Sequence, residues 1–155
     1  GKEPQVTDEF IESLLRTQYE DKSCFTILAI LRADLDYKNL FHKDHLHPAS
    51  RFKSKAVLEK AGIGAADVDL YRDADNWNSI INLSHLDGKE NQSKGSSSLA
   101  EWTSKESKRR NVPLSKLCSD LLLPPEPSLL DFDQFPGFIH ERRRILSDRL
   151  REVLS

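Results

Sequence analysis

Two stretches, FHKDHLHP at residues 41–48 and INLSHLDGKENQSKG at residues 81–95, decide how this chain is interpreted. Pro48 has no backbone donor, so the first stretch predicts a short strand that runs into a turn. The second begins with an apolar run typical of a strand and continues into polar residues, where Asp87 can cap a short helix. We expect strands at 40–46 and 82–86, and a helix at 87–94.

Helices are predicted for most of the remaining chain, so the fold class is α+β and mainly helical. The stretch 23–31 has helical spacing, although its β-branched residues are also compatible with a buried strand. Two short acidic helices near 54–60 and 65–75 are expected to form an exposed, mobile excursion with little core. Further helices are predicted at 7–19, 99–110 and 114–122, followed by a long helix from Phe135 to the end.

Length and composition bound the class of protein. The 155 residues suit one domain, with 37% hydrophobic and 31% charged residues. No apolar run approaches the length of a membrane span and no signal peptide is present, which predicts a cytoplasmic location. Cys24 and Cys118 are too few for a four-thiolate zinc site, and we expect reduced thiols. The chain lacks methionine and opens at Gly1, which suggests a fragment of a longer protein.

The basic residues are unevenly distributed, although the net charge is −2. Residues 89–116 contain seven basic and three acidic side chains, so one face could meet a polyanion. Arg109 and Arg110 in this stretch are equally compatible with phosphate contacts and with a solvated helix surface. Near the C-terminus, residues 142–144 are three consecutive arginines, and these are expected to form surface ion pairs.

The stretch 41–48 offers hydrolytic chemistry, because it holds one carboxylate and three histidines. A histidine can accept a proton near neutral pH, and a neighbouring carboxylate can hold a hard cation such as Mg²⁺. Hydrolysis of a phosphodiester uses both a base that activates water and a cation that stabilises charge on the phosphate. Asn91, on the predicted short helix, is the candidate for a second oxygen ligand.

These residues resemble a known family. DHLHP at 44–48 and the stretch 81–95 are similar to the D-H-I-x-P and N-L-x-x-L…N-x-x-K signatures of HNH nucleases, which have the ββα-metal (His-Me finger) fold. The closest resemblance is to the C-terminal nuclease domain of GmrSD-like modification-dependent (type IV) restriction endonucleases and related phage-defence proteins. The tail DFDQFPGFIHERRRILSDRLREVL at 131–154 is similar to their closing helix.

The resemblance implies a metal-dependent DNA endonuclease that restricts foreign or modified DNA and nicks or cleaves both strands. It makes His45 the general base and Asp44 and Asn91 the ligands of one Mg²⁺ or Mn²⁺. Asn82 would hold the loop after the first strand, and His47 would lie on the substrate side or in solvent. The resemblance makes Lys94 a phosphate contact, and the basic stretch adds Lys89, Arg109 and Arg110 as predicted DNA contacts.

The resemblance also implies a domain division. We expect an N-terminal helical segment at 1–35 that packs on the core, a nuclease core at 36–112 with inserted helices at 54–76, and a C-terminal helical extension at 113–155. An N-terminal sensor or NTPase-like domain of the same protein is the implied partner. The long insertion departs from compact HNH cores, and Asp44 and His45, adjacent on a strand, should point to opposite faces.

Three alternatives stay open. His45 and His47 could bind structural zinc together with His42 or His85. The chain could instead be a catalytically inactive DNA-binding or assembly module of a defence protein. It could also be a scaffold that docks through its terminal amphipathic helix and does not bind DNA.

Overall fold

A computed structural model describes residues 6–155. The first five residues of the predicted N-terminal segment, including Gly1, lie outside the described part. The helices and strands, in chain order, are α1 Asp8–Leu15, α2 Cys24–Leu31, β1 Phe41–His45, α3 Lys55–Lys60, α4 Val68–Arg72, α5 Ala74–Trp77, β2 Leu83–Asp87, α6 Gly88–Lys94, α7 Leu99–Arg110, α8 Leu114–Asp120 and α9 Phe135–Leu154. The fold is α+β and mainly helical, as predicted.

The two strands form one antiparallel sheet, in which Phe41 pairs with Asp87 and His45 with Leu83. The next helix, α6, starts directly after β2 and packs against both strands. Its start is fixed by a capping box, in which the Asp87 carboxylate accepts from the Glu90 amide and the Glu90 carboxylate accepts from the Asp87 amide. The two paired strands and α6 therefore pack together, although α3, α4 and α5 lie between β1 and β2 in the chain.

The long helix α9 organises the hydrophobic core. It contacts α1 and α2 on one side and the 3₁₀ turn Ile80–Asn82 on another. The buried side chains of Phe135, Phe138 and Leu146 face this core and are fully inaccessible to solvent. One continuous cluster of buried apolar residues joins the N-terminal helices, the sheet and α9.

The stretch 54–75 was predicted to be an exposed excursion with little core, but several of its residues are buried. Leu58 and Tyr71 are 0% and 1% exposed, and Val68 is also buried. The Tyr71 hydroxyl donates to the carbonyl of Phe132 at 2.7 Å, which ties α4 to the segment before α9. The acidic residues of this stretch are exposed and its apolar residues face the core. The prediction was wrong because it was based on the acidic residues alone.

Arg142 is a second correction, because it lies in the core and not at the surface. It is 2% exposed, and its Nη2 donates to the carbonyl of Leu83 at 3.1 Å. Burial lowers the pKa of Arg142 to about 9, with a further decrease from the nearby Arg32. Arg143 and Arg144 do form ion pairs, with Glu12 and with Glu141 respectively.

Both cysteines, Cys24 and Cys118, are buried free thiols. Within residues 6–155, no helix combines the length and apolar character needed to cross a membrane.

Candidate functional site

The end of β1 places Asp44 and His45 on opposite faces of the sheet, as strand alternation requires. Asp44 faces α6, where it meets Lys94. His45 faces the other way, towards Tyr19, and the two rings stack with centroids 4.8 Å apart. The two groups nevertheless lie close enough for the Asp44 carboxylate to favour the protonated form of His45.

Lys94 is the buried neighbour of Asp44. Its Nζ lies 3.1 Å from Asp44 Oδ2 and donates to the carbonyl of His45 at 3.0 Å. The Lys94 side chain is 1% exposed and the Asp44 side chain 13% exposed. Burial raises the pKa of Asp44, although the Lys94 ammonium acts in the opposite direction. The carboxylate is therefore desolvated and depends on nearby positive charge.

Asn91 lies one helical turn before Lys94 on α6. Residues three apart share a helix face, so Asn91 occupies the side of α6 that carries Lys94 towards the sheet. Its side chain is partly exposed. The fold thus brings the predicted amide ligand to the same side of the sheet as the Asp44 carboxylate.

An amide network holds the imidazole of His45. His45 Nε2 lies 2.8 Å from Asn78 Oδ1, and Asn78 Nδ2 donates to both carboxylate oxygens of Glu20 at 3.0 and 3.1 Å and to Gln18 Oε1 at 3.2 Å. Because the Asn78 amide nitrogen is committed to acceptors, its oxygen faces His45, and Nε2 carries the proton. The Nδ1 atom is left as the proton acceptor of a neutral ring.

The pKa of His45 is lowered, and burial is the largest cause. The Asn78 hydrogen bond and the carboxylates of Asp44 and Glu20 oppose this decrease, whereas Lys94 adds to it. A half-buried histidine with a lowered pKa is neutral at physiological pH. The His45 ring can therefore accept a proton at Nδ1 without first losing one.

Asn82 contacts the loop after β1. Its Oδ1 accepts from the His47 amide at 3.0 Å, and its Nδ2 donates to the carbonyls of His47 at 3.0 Å and Trp77 at 2.8 Å. The side chain is 0% exposed. Three buried hydrogen bonds from one amide fix the direction in which the chain leaves the strand.

His47 lies in the core, which corrects its prediction as a substrate-side or solvent residue. It is 1% exposed, and its ring packs edge-on against Phe135 and Phe138 at centroid distances of 5.4 and 4.6 Å. Burial, with smaller contributions from Lys94 and Arg51, lowers the pKa of His47 to about 3. The ring acts as a neutral packing residue.

The four residues predicted to contact DNA differ in whether their side chains already form ion pairs within the protein. Lys94 is buried against protein acceptors, so its assignment to phosphate is a correction. Arg109 and Arg110 donate to the buried Glu106 carboxylate, and Arg110 also pairs with Glu90. Lys89 is exposed, and no acidic side chain among residues 6–155 pairs with it. In this basic stretch Lys94, Arg109, Arg110 and Lys116 form ion pairs, whereas the exposed Lys89, Lys105 and Lys108 form none with residues 6–155.

The fold does not bring together the histidines of the proposed structural zinc site. His85 is buried under Tyr37, whose hydroxyl lies 2.8 Å from His85 Nδ1, and burial lowers its pKa to about 4. His47 lies among phenylalanines, apart from the ring of His45 on Tyr19. Across residues 6–155, no three His, Cys, Asp or Glu side chains form a group suited to a metal ion.

Sequence reasoning missed Tyr19, Glu20 and Asn78 as neighbours of His45. They meet because an antiparallel bridge joins Gln18 to Ser79, and the Tyr19 amide donates to the carbonyl of Asn78 at 2.9 Å. These contacts join positions more than fifty residues apart. No local periodicity or spacing signals such a contact.

No protein-family model matches this chain, and a search of curated proteins finds no match.

Proposed function

We propose that this chain is a metal-dependent DNA endonuclease domain with an HNH-type ββα-metal core formed by β1, β2 and α6. It hydrolyses phosphodiester bonds in the restriction of foreign or modified DNA, and the N-terminal sensor domain implied by the resemblance selects the target. The observation that carries the proposal is the meeting of Asp44, at the end of β1, with the helix face that bears Asn91 and Lys94.

The donor set fits a hard divalent cation. Asp44 Oδ2 is buried and lies 3.1 Å from the Lys94 ammonium, so a cation bound at this oxygen would share it with Lys94 or displace the Lys94 ammonium. A carboxylate and an amide oxygen are ligand types that Mg²⁺ and Mn²⁺ take, with water and phosphate completing the shell, and Asn91 on α6 is the proposed amide ligand. Held by Asp44 and Asn91, such an ion would stabilise negative charge on the phosphate.

His45 supplies the base. Its neutral ring presents Nδ1, while Asn78 holds Nε2 and Lys94 holds the backbone carbonyl of the same residue. A proton taken from water at Nδ1 leaves an imidazolium, which the nearby Asp44 and Glu20 carboxylates stabilise. Positioning on both ring and backbone limits rotation of the base, which favours the transition state.

The test is nicking of supercoiled plasmid by the purified chain with Mg²⁺ or Mn²⁺, with EDTA in parallel. We expect open-circular DNA with metal, none with EDTA, and loss of at least a hundredfold in rate for His45→Ala. His42→Ala is the matched control, because His42 is an exposed histidine three positions earlier on the same strand. A His45→Ala variant that cuts as fast as the wild type would refute the assignment of the base.

A second candidate is a catalytically inactive DNA-binding or assembly module. It is supported by the Lys94 ammonium, which already supplies the positive charge next to Asp44. Calorimetric titration with Mn²⁺ separates the two. Uptake that disappears in Asp44→Asn supports the nuclease, whereas no uptake together with uncut plasmid supports the inactive module.

A further inference from the structure

A cavity of about 430 Å³ opens next to His45. Trp77 connects the two, because its indole lines the cavity and its ring centroid lies 5.7 Å from that of the His45 imidazole. The volume falls within the range of about 300–1,000 Å³ that is usual for small-molecule sites. Its lining residues are Ala49, Ser50, Phe52, Lys53, Arg72 and Trp77.

The cavity has an aromatic wall with a rigid support. Phe52 is 3% exposed and stacks on Trp77 with centroids 6.0 Å apart and ring planes at 16°. Phe52 in turn packs against Phe135 at the start of α9, so the wall is anchored in the core. The indole is partly exposed, and its position is fixed further by its backbone carbonyl, which accepts from Asn82.

The charged residues of the lining, Lys53 and Arg72, are both cationic and exposed. No carboxylate among residues 6–155 forms an ion pair with either of them, in contrast to Arg109 and Arg110. Aromatic surface for a base beside free cations for the backbone is the combination by which proteins bind single nucleotides of a strand.

We propose that this cavity is a subsite for a nucleotide of the DNA strand next to the cleaved phosphate, with its base against Trp77 and its phosphate near Lys53 and Arg72. The inference rests on the proposed function. It gives the insertion between the two motifs a role, because Arg72 ends α4 and Trp77 ends α5.

The test is binding of a labelled single-stranded oligonucleotide of about twelve bases, measured by fluorescence anisotropy in EDTA so that no cleavage occurs. Abasic sites are placed at each position in turn. We expect one or two positions at which the lost base weakens wild-type binding by about tenfold, the scale of one base–aromatic stack. Trp77→Leu should bind the intact and abasic strands equally. Arg72→Ala should weaken both to the same degree, and Lys55→Ala, an exposed lysine of α3 outside the cavity, should weaken neither.

A second readout needs no variant. Trp102 is 1% exposed, so quenching of tryptophan emission by the oligonucleotide reports Trp77. A flat abasic scan, or no quenching with bound DNA, would overturn the subsite. If the wild type still nicks plasmid with metal in that case, the nuclease proposal stands without it. A wild-type chain that neither binds nor cuts DNA refutes both.

Discussion

Asn78 is the residue outside the motifs on which the candidate base depends most. Its hydrogen bond raises the pKa of His45, so Asn78→Ala should lower that pKa further and release the ring. The acid limb of the nicking rate should move to lower pH, while the plateau rate falls by about tenfold because the base is no longer oriented.

The His45 pKa can be measured by NMR titration of the imidazole, which requires no activity. Asn76→Ala is the matched control, since Asn76 is a neighbouring amide that donates to the carbonyl of Leu70 and does not touch His45. An unchanged His45 pKa in Asn78→Ala would contradict the positioning role.

The Asp44–Lys94 pair makes a separate prediction about stability. Lys94→Met leaves a desolvated carboxylate without its cation, which should destabilise the fold by about 3 kcal/mol and raise the pKa of Asp44 further. The double variant with Asp44→Asn should recover part of this loss. Urea unfolding of the four proteins measures the coupling, and strictly additive losses would mean that the pair does not interact in the folded state.

The sequence predicted the parts of the candidate site that lie within one motif, but it did not predict contacts between residues far apart in the chain. The positions of Asp44 at the end of a strand and of Asn91 on a capped helix follow from motif and spacing, and their roles as metal ligands stay predictions. His47 was misplaced because the sequence of a short turn does not show whether it enters the core or leaves it. Asn78 was missed because its partner at Glu20 is distant along the chain.

Helix α6 carries both Asn91 and Lys94, so loss of its N-cap should affect the candidate site as well as stability. Asp87→Ala removes the side-chain acceptor for the Glu90 amide and should cost about 1 kcal/mol in thermal or urea unfolding, with fraying that weakens metal uptake. Asp87→Asn keeps a capping oxygen and serves as the control, with nearly wild-type stability. Equal losses in the two variants would show that the charge matters and the cap does not.

Helices and strands with strong end signals were predicted well. Helix α7 was predicted at 99–110, its observed bounds, from the serine run at 96–98 and from Pro113. In the structure Ser98 caps its start, and Asn111 ends it in the left-handed region at φ 54°. Helix α1 was predicted too long, because it ends at Leu15 before the bridge at Gln18. In the stretch 54–75 an acidic surface concealed the apolar face, which only tertiary contacts reveal.

The whole fold is joined through the long helix α9, which explains why the tail and the motifs belong to one folded unit. Arg142 reaches from α9 to the carbonyl of Leu83 on β2, and Phe138 packs on His47 after β1. The C-terminal helix thus contacts β2 and the turn that follows β1. Its sequence predicted an amphipathic helix but not a buried arginine, because three consecutive arginines resemble a solvated surface.

Two buried neutral histidines make the stability of the whole molecule depend on pH. In the unfolded chain each of these histidines has a pKa near 6.5. In the folded chain the pKa is lowered to about 4 for His85 and to about 3 for His47. The unfolded state therefore binds more protons below pH 6.5, and stability falls as the pH decreases, by up to about 1.4 kcal/mol per pH unit for each histidine. Asp44, with its raised pKa, opposes this at acidic pH.

Chemical unfolding between pH 7.5 and 4.5 measures this slope. His47→Leu keeps an apolar side chain among Phe135 and Phe138, so it should reduce the slope by about one proton. Acid unfolding should also abolish the nicking activity that we propose, separately from the titration of His45. If His47→Leu does not alter the slope, the proton uptake on unfolding belongs to other residues, and His47 is not the buried neutral histidine described above.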